Sequence, residues 1–374
     1  MDRLSLYQEY KNLEKLYSEI ATKSWYAEYE KFVLENIDKL NGQYLSGNSN
    51  ITMDFVLAFP QIKWNQMHLS HNPNITMSDV LAFPNEIPNN GVYPHYLANP
   101  QIKWNVQILS YNPNITMSDV KNNPQIKWDL IGLSQNPNIT MSDVKNNPQF
   151  EWDPFNLSKN PNITMSDVLT NPQIKWNVQS LSYNPNITMA DVLANPQIQG
   201  SEWNVQSLSQ NPNITMRDVL SNPQFQWNPL FLSGNPNITM ADVKNNPQFE
   251  WNPLFLSQNP NITMSDVLAN PQIQWNGLNL SRNPNITMDD VLSNPQINWD
   301  VSRNPNITMA DVRNNPQIEW DWYELSVNNM SKGKERYIKN KINELKFTNE
   351  FKMISENNKL FVNVIEDIII NYLN

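Results

Sequence analysis

The chain has no cysteine, only three histidines and only eight glycines in 374 residues. Without cysteine there can be no disulfide, no thiolate nucleophile and no thiolate metal site. His68, His71 and His95 show no ligand spacing, and no glycine-rich phosphate loop, Ser-His-Asp arrangement or isolated acid pair stands out. No catalytic residue, metal site, cofactor or small-molecule substrate is therefore expected. There is no run of eighteen apolar residues, and Met1-Asp2-Arg3-Leu4 is unlike a signal peptide. The expectation is a protein without a transmembrane segment, not secreted, located in the cytoplasm or in a particle assembled there.

What the chain does have is repetition. Asn160 to Tyr183 reads N-P-N-I-T-M-S-D-V-L-T-N-P-Q-I-K-W-N-V-Q-S-L-S-Y and starts again at Asn184, a step of 24 residues that recurs from about 48 to about 327. A fixed period of this length means a stacked array, and it decides the fold class before any other feature.

Each unit carries two sets of helix signals. Thr164 followed by Asp167 is a capping box with Asp in the third helical position, where the helix dipole favours a negative charge. Ile163 and Val168 flank that cap as a hydrophobic staple, and Asn171-Pro172 ends the helix. Helix A is thus expected from Met165 to about Thr170. Asn177 caps a second helix, B, with Trp176 and Leu181 as its staple. Other copies carry Asp153-Pro154, Asn228-Pro229 and Asn252-Pro253, with proline in the first helical position, where its missing N–H is harmless. A leucine-rich or β-solenoid repeat would need strict alternation around its asparagine, and Met-Ser-Asp-Val-Leu does not alternate. The fold class predicted is all-α, an α-solenoid of about 12 helix-turn-helix units with helical N- and C-terminal caps. Two-turn helices do not persist alone in water, so stability must come from stacking Ile, Met, Val, Trp and Leu into one continuous core. Packed at about 8–10 Å per helix, the array should run on the order of 100 Å.

Residues 1–47 read as an N-terminal cap of two longer helices, 48–327 as the array, and 328–374 as a C-terminal helical cap, slightly basic from Lys332 to Lys341. In that cap Phe361, Ile365, Ile368 and Tyr372 fall at helical spacing, and Glu366 and Asp367 exclude a membrane span. Three units are irregular. The stretch from Asn72 to Tyr111 aligns as a unit lacking helix B (Asn72 to Ile87) followed by a degenerate full unit from Pro88, with a plain loop insertion as the alternative. Three residues are added around Gly200, and three are missing at Asp300. Helix A then counts twelve times and the repeat tryptophan eleven.

Comparison between copies separates structural positions from variable ones. Gln173 and its equivalents never vary, nor does the Asn of Asn-Ile-Thr, and both could form hydrogen-bonded ladders along the stack. Asn-Ile-Thr is also a glycosylation sequon, but capping explains its recurrence without secretion. Two rows vary. Before the tryptophan stand Lys103, Lys127 and Lys175 among Glu, Gln and Asn; after Leu-Ser stand Tyr111, Gln135, Lys159 and Tyr183. Exposed aromatics and cations suit interfaces, so these seven residues form the candidate partner-binding surface. The net charge of −10 is largely accounted for by helix A caps from Asp79 to Asp311, and it disfavours nucleic acid as the partner.

The unit W-[ND]-x-x-x-L-S-x-N-P-N-I-T, here Trp176 to Thr188, resembles tandem-repeat proteins that mimivirus-like giant DNA viruses of amoebae encode in many copies. The resemblance spans about residues 48 to 327 and implies a viral origin but no assigned activity. The function expected is a non-enzymatic scaffold or adaptor that binds a host or viral protein. A structural component of a virus particle or factory is the alternative, and modular reading of single-stranded RNA is a third, weakened by the lack of a basic stripe through every unit.

Overall fold

The computed structural model describes residues 3–83 and 102–355. It forms two compact units: Lys39–Asn304 with Trp320–Asn329, and Met1–Asp38 with Pro305–Glu319 and Met330–Asn374. Both are helical, and among the described residues the only strands are two of two residues each. No described helix is long and apolar enough to cross a membrane.

The unit from Asn160 shows how the sequence acts. Helix A runs Met165–Thr170 and helix B Val178–Tyr183. Thr164 Oγ1 accepts the Asp167 N–H at 3.3 Å, while Asp167 Oδ2 accepts the Thr164 N–H at 3.0 Å and its hydroxyl at 2.7 Å. Asn171 closes helix A by donating its side-chain amide to the Asp167 carbonyl at 2.7 Å. Ile163, Met165, Val168, Trp176 and Leu181 are buried, so both staples face the core.

Stacking depends on polar groups as much as on this core. Asn160 is 0% exposed. Its Nδ2 donates to the carbonyls of Ser134, Asn136 and Ile139, each at 3.0 Å and all before the start of its own unit, and its Oδ1 accepts the Asn162 N–H at 2.8 Å. Ser158 is equally buried; its Oγ donates to the Pro154 carbonyl at 2.7 Å and accepts the N–H of Asn177, the next B-helix cap, at 2.9 Å. A buried amide or hydroxyl costs free energy unless paired, and here the Asn160 amide donor and the Ser158 hydroxyl acceptor find partners across a unit boundary. The ladder expected of the Asn in Asn-Ile-Thr is also present, since Asn162 donates to Pro137 and Ile139 carbonyls one unit back. Gln173 makes no ladder. It stays exposed and reaches only Asn171 at 3.5 Å.

The ladder does not end. The cap N–H to serine bond repeats at twelve junctions, and the twelfth runs from Asn41 N–H to Ser326 Oγ at 2.8 Å. Asn48 Nδ2 donates to the carbonyls of Ser326 and Asn328, both at 3.0 Å, and Asn50 to Asn329 at 2.8 Å. Those are the bonds that other units make to their predecessors, as Asn72 does to Ser46 and Asn48 and Asn74 to Ser49. Tyr44 and Tyr323 meet edge to face at 4.2 Å between ring centroids, and Lys39 Nζ lies 4.6 Å from the Trp322 ring. The array is therefore a closed circuit within this unit, not a rod with two ends, and the length expected of it is a circumference. Helix Gly42–Leu45, in the stretch expected to cap an open end, is the first B helix. Consecutive B helices pack closely on one another, as Pro154–Lys159 does on Leu130–Gln135 and on Val178–Tyr183, and among the described residues no two consecutive A helices pack as closely. In a closed circuit the closer-spaced elements lie at the smaller radius, which puts the B helices on the inner circumference.

The three irregular units keep the ladder intact. Asn105 N–H bonds Ser70 Oγ at 2.9 Å, and Asn112 donates to the carbonyls of Ser70 and Asn72 at 3.0 Å. Residues 72–111 therefore occupy one place in the ladder, and the second A helix expected there falls outside the described residues. Trp104 Nε1 donates to the Phe83 carbonyl 21 residues back, whereas Trp176 donates to Asn171 five residues back. The 16 extra residues (21 − 5) are an insertion between helices A and B; the unit proposed to begin at Pro88, and His95 with it, fall mostly outside the described residues. Eleven A helices stand among the described residues, and the twelfth expected lies outside them.

At the second irregular unit β1 (Gln197–Ile198) and β2 (Ser201–Glu202) form a two-residue hairpin. Its corner residues Gln199 and Gly200 both have positive φ, 51° and 80°, the geometry whose twist matches paired strands. Open space surrounds the position of a Cβ on Gly200, so Gly200→Val is expected to cost only backbone strain, about 1–2 kcal/mol. Urea unfolding checks this; a loss much beyond that range would mean that the turn bears on the stack. At the third, the missing residues shorten helix B to the 3-10 turn Val301–Arg303, and Ser302 still accepts the Asp321 N–H at 2.8 Å.

The other unit joins the last A helix, Met309–Asn314, to two terminal helices. The first, Arg3–Glu35, is one continuous helix where two were expected, and it buries Tyr17, Trp25, Tyr29 and Phe32. It packs on Ser331–Ser355 through Trp25 and Tyr337, 5.3 Å apart edge to face, and through Lys346 to Glu14 at 3.1 Å. Arg313 bonds Glu35 at 2.8 Å and Glu28 at 3.2 Å. Phe361, Ile365, Ile368 and Tyr372 lie outside the described residues.

Candidate binding groove

The third position after the B-helix cap controls how closely neighbouring B helices fill the space between them. Early in the circuit it holds Tyr44, His68 and Ile108, and later Phe231 and Phe255. Between them come four small residues in succession: Gly132, Asn156, Ser180 and Ser207. Where large side chains give way to small ones, a groove of about 470 Å³ opens across the B helices. It is lined by Gln135, Phe155, Lys159, Gln179, Ser180 and Tyr183, with Ser207 at the far side.

Two aromatic rings stand out of this groove. Tyr183 is 54% exposed and Phe155 46%, although both belong to helices whose other apolar residues are core. Lys159 extends its ammonium over the Phe155 ring, 3.9 Å from the centroid, a cation–π contact that fixes an otherwise mobile side chain. Lys159 is the only charged side chain in the lining and is in no ion pair among the described residues. Gln135 and Gln179 supply neutral donors and acceptors at either side.

Of the seven residues expected to form a surface, the structure brings three together here: Gln135, Lys159 and Tyr183. Tyr111 occupies the same register one helix earlier but is half-buried and folded down, its ring only 3.0 Å from where a Cβ on Gly132 would sit. Burial, with the carboxylates of Asp129 and Asp153 behind it, raises its phenol above the ordinary tyrosine value. Lys103, Lys127 and Lys175 are exposed in the turn between helices A and B and do not line the groove. Sequence reasoning missed Phe155, Gln179, Ser180 and Ser207. The run of small residues at one register was the signal that could have found them.

The rest of the array's chemistry is committed to structure. The helix A aspartates sit in capping boxes, and His68 Nδ1 lies 2.8 Å from the Gln43 carbonyl. Among the described residues no three His, Cys, Asp or Glu side chains cluster as metal ligands. No family model, no curated protein and no solved structure matches the chain.

Proposed function

We propose that the protein is a non-enzymatic repeat scaffold that holds a protein partner in the groove between Gln135 and Ser207, in a giant-virus setting and in the host cytoplasm or a particle assembled there. One observation carries this reading. The recurrent Thr, Asp, Ser and Asn side chains are engaged in caps and ladder, while variable positions combine into a concave, aromatic-rimmed groove. Exposed tyrosine is among the side chains that binding hot spots favour, and Lys159 lies exposed on the neighbouring helix.

A photo-crosslinking benzophenone side chain at position 183 tests it in the cells where the protein is made, with the same group at Leu268 as control. Leu268 is 57% exposed and lies on a helix A. Adducts with a defined protein at 183 and none at 268 are expected; none at 183 would remove the groove from the function.

A second reading, a lattice component of a particle or factory, is supported by the exposed Leu169, Leu193, Leu220, Leu268 and Leu292 at one register of the A helices. Adducts at 268 between copies of the chain itself would favour it. End-to-end growth as a rod is disfavoured, because each end of the array is already paired with the other.

A further inference from the structure

The dimensions and charge of the groove narrow what it can hold, on the reading above that it binds a protein. It crosses four successive B helices, from Leu130–Gln135 to Val205–Gln210, and three steps of about 8–10 Å make it roughly 24–30 Å long. A groove of that length laid across successive helices is what an extended chain would follow.

The period agrees as well. Polyproline backbone has three residues per turn and rises about 3.1 Å per residue, so every third residue advances about 9 Å, one B helix, and returns to the same face. A ligand in that conformation would present one side chain in turn to Gln135, Lys159 and Tyr183, which occupy the same register on successive helices. Polyproline segments are recognised by aromatic-lined grooves because they arrive with little conformational entropy left to lose.

We infer that the groove takes an extended, proline-rich peptide segment bearing a carboxylate, with the acidic side chain on Lys159 and a proline three residues away on Tyr183. Lys159, anchored over Phe155, supplies the only charge in the lining. Gln179 is placed to bond the ligand backbone between the two.

The test uses three fluorescein-labelled nine-residue probes, proline throughout except for a central glutamate, glutamine or lysine, titrated by anisotropy against the full chain. The glutamate probe should bind about fivefold tighter than the glutamine probe, as an exposed ion pair of about 1 kcal/mol allows, and the lysine probe weakest. The preference should vanish in Lys159→Gln and fade in high salt. Tyr183→Ala should weaken all three probes alike. Equal binding of the three probes, or a glutamate preference that survives Lys159→Gln, overturns the inference. If none of the probes binds, the ligand class is wrong, and crosslinking at position 183 still decides the groove separately.

Discussion

Cysteines introduced at positions 44 and 323 are expected to be joined almost completely by a bis-maleimide about 8 Å long, within the monomer, under native conditions and not in urea. In an open array these residues would sit at opposite ends, on the order of 100 Å apart. In the closed circuit their rings touch, at 4.2 Å between centroids. The chain contains no cysteine of its own, so the two introduced thiols are the only reactive ones. The product is read as a monomer of increased mobility on a denaturing gel. A pair at 44 and 183, on B helices well apart in the circuit, serves as the negative control. Failure of the 44–323 pair to crosslink, with the control thiols equally reactive, would mean that the array is open in solution. The seam also joins groups 278 residues apart in sequence, Asn48 and Ser326, the kind of contact that forms late in folding.

The second large effect is expected at a ladder asparagine. Asn160→Ala removes three donated bonds and one accepted bond at a site that water cannot reach. Each buried group left unpaired costs about 1–3 kcal/mol. With partial relaxation the loss should be about 3–5 kcal/mol, seen as a marked drop in the urea midpoint and as faster amide exchange in the flanking units. Gln173→Ala, equally invariant in sequence but exposed and bonded only locally, should change stability by less than about 0.5 kcal/mol. The two asparagine and glutamine positions look alike when copies are compared, and the contrast between them is the point of the measurement. Equal effects would mean that the ladder is not what binds one unit to the next.

Local physics made the helices readable. Thr164, Asp167 and the Asn171-Pro172 stop determine helix A through contacts within eight residues, so its limits, Met165 to Thr170, follow from sequence. The ladder was only half readable. Recurrence of Asn162 suggested it, but the deeper rung made by Ser158 and Asn160 looked like an ordinary turn, since its partners lie about one repeat away and leave no local mark. Closure was not readable at all. It depends on a small difference in spacing between B helices and A helices, added up over twelve junctions, and no single residue encodes that sum. In the stretch from Asn72 to Tyr111 motif matching followed Asn-Pro-Gln, whereas the ladder steps from Ser70 to Asn105. The groove sat in between. Lys159 and Tyr183 were visible as variable positions, but the hollow beside them came from residues notable only for being small.

The sixteen residues inserted between Phe83 and Trp104 leave the bonds on either side of them as they are in every other unit. The bonds from serine and asparagine that hold neighbours together run through the end of helix B, and the turn between Phe83 and Trp104 can lengthen without breaking them. That turn is accordingly a mounting point, where a loop, a tag or a small folded module could be spliced in, whereas the turn at Gln199 donates to the Pro172 and Ile174 carbonyls of the unit before it and should be left alone.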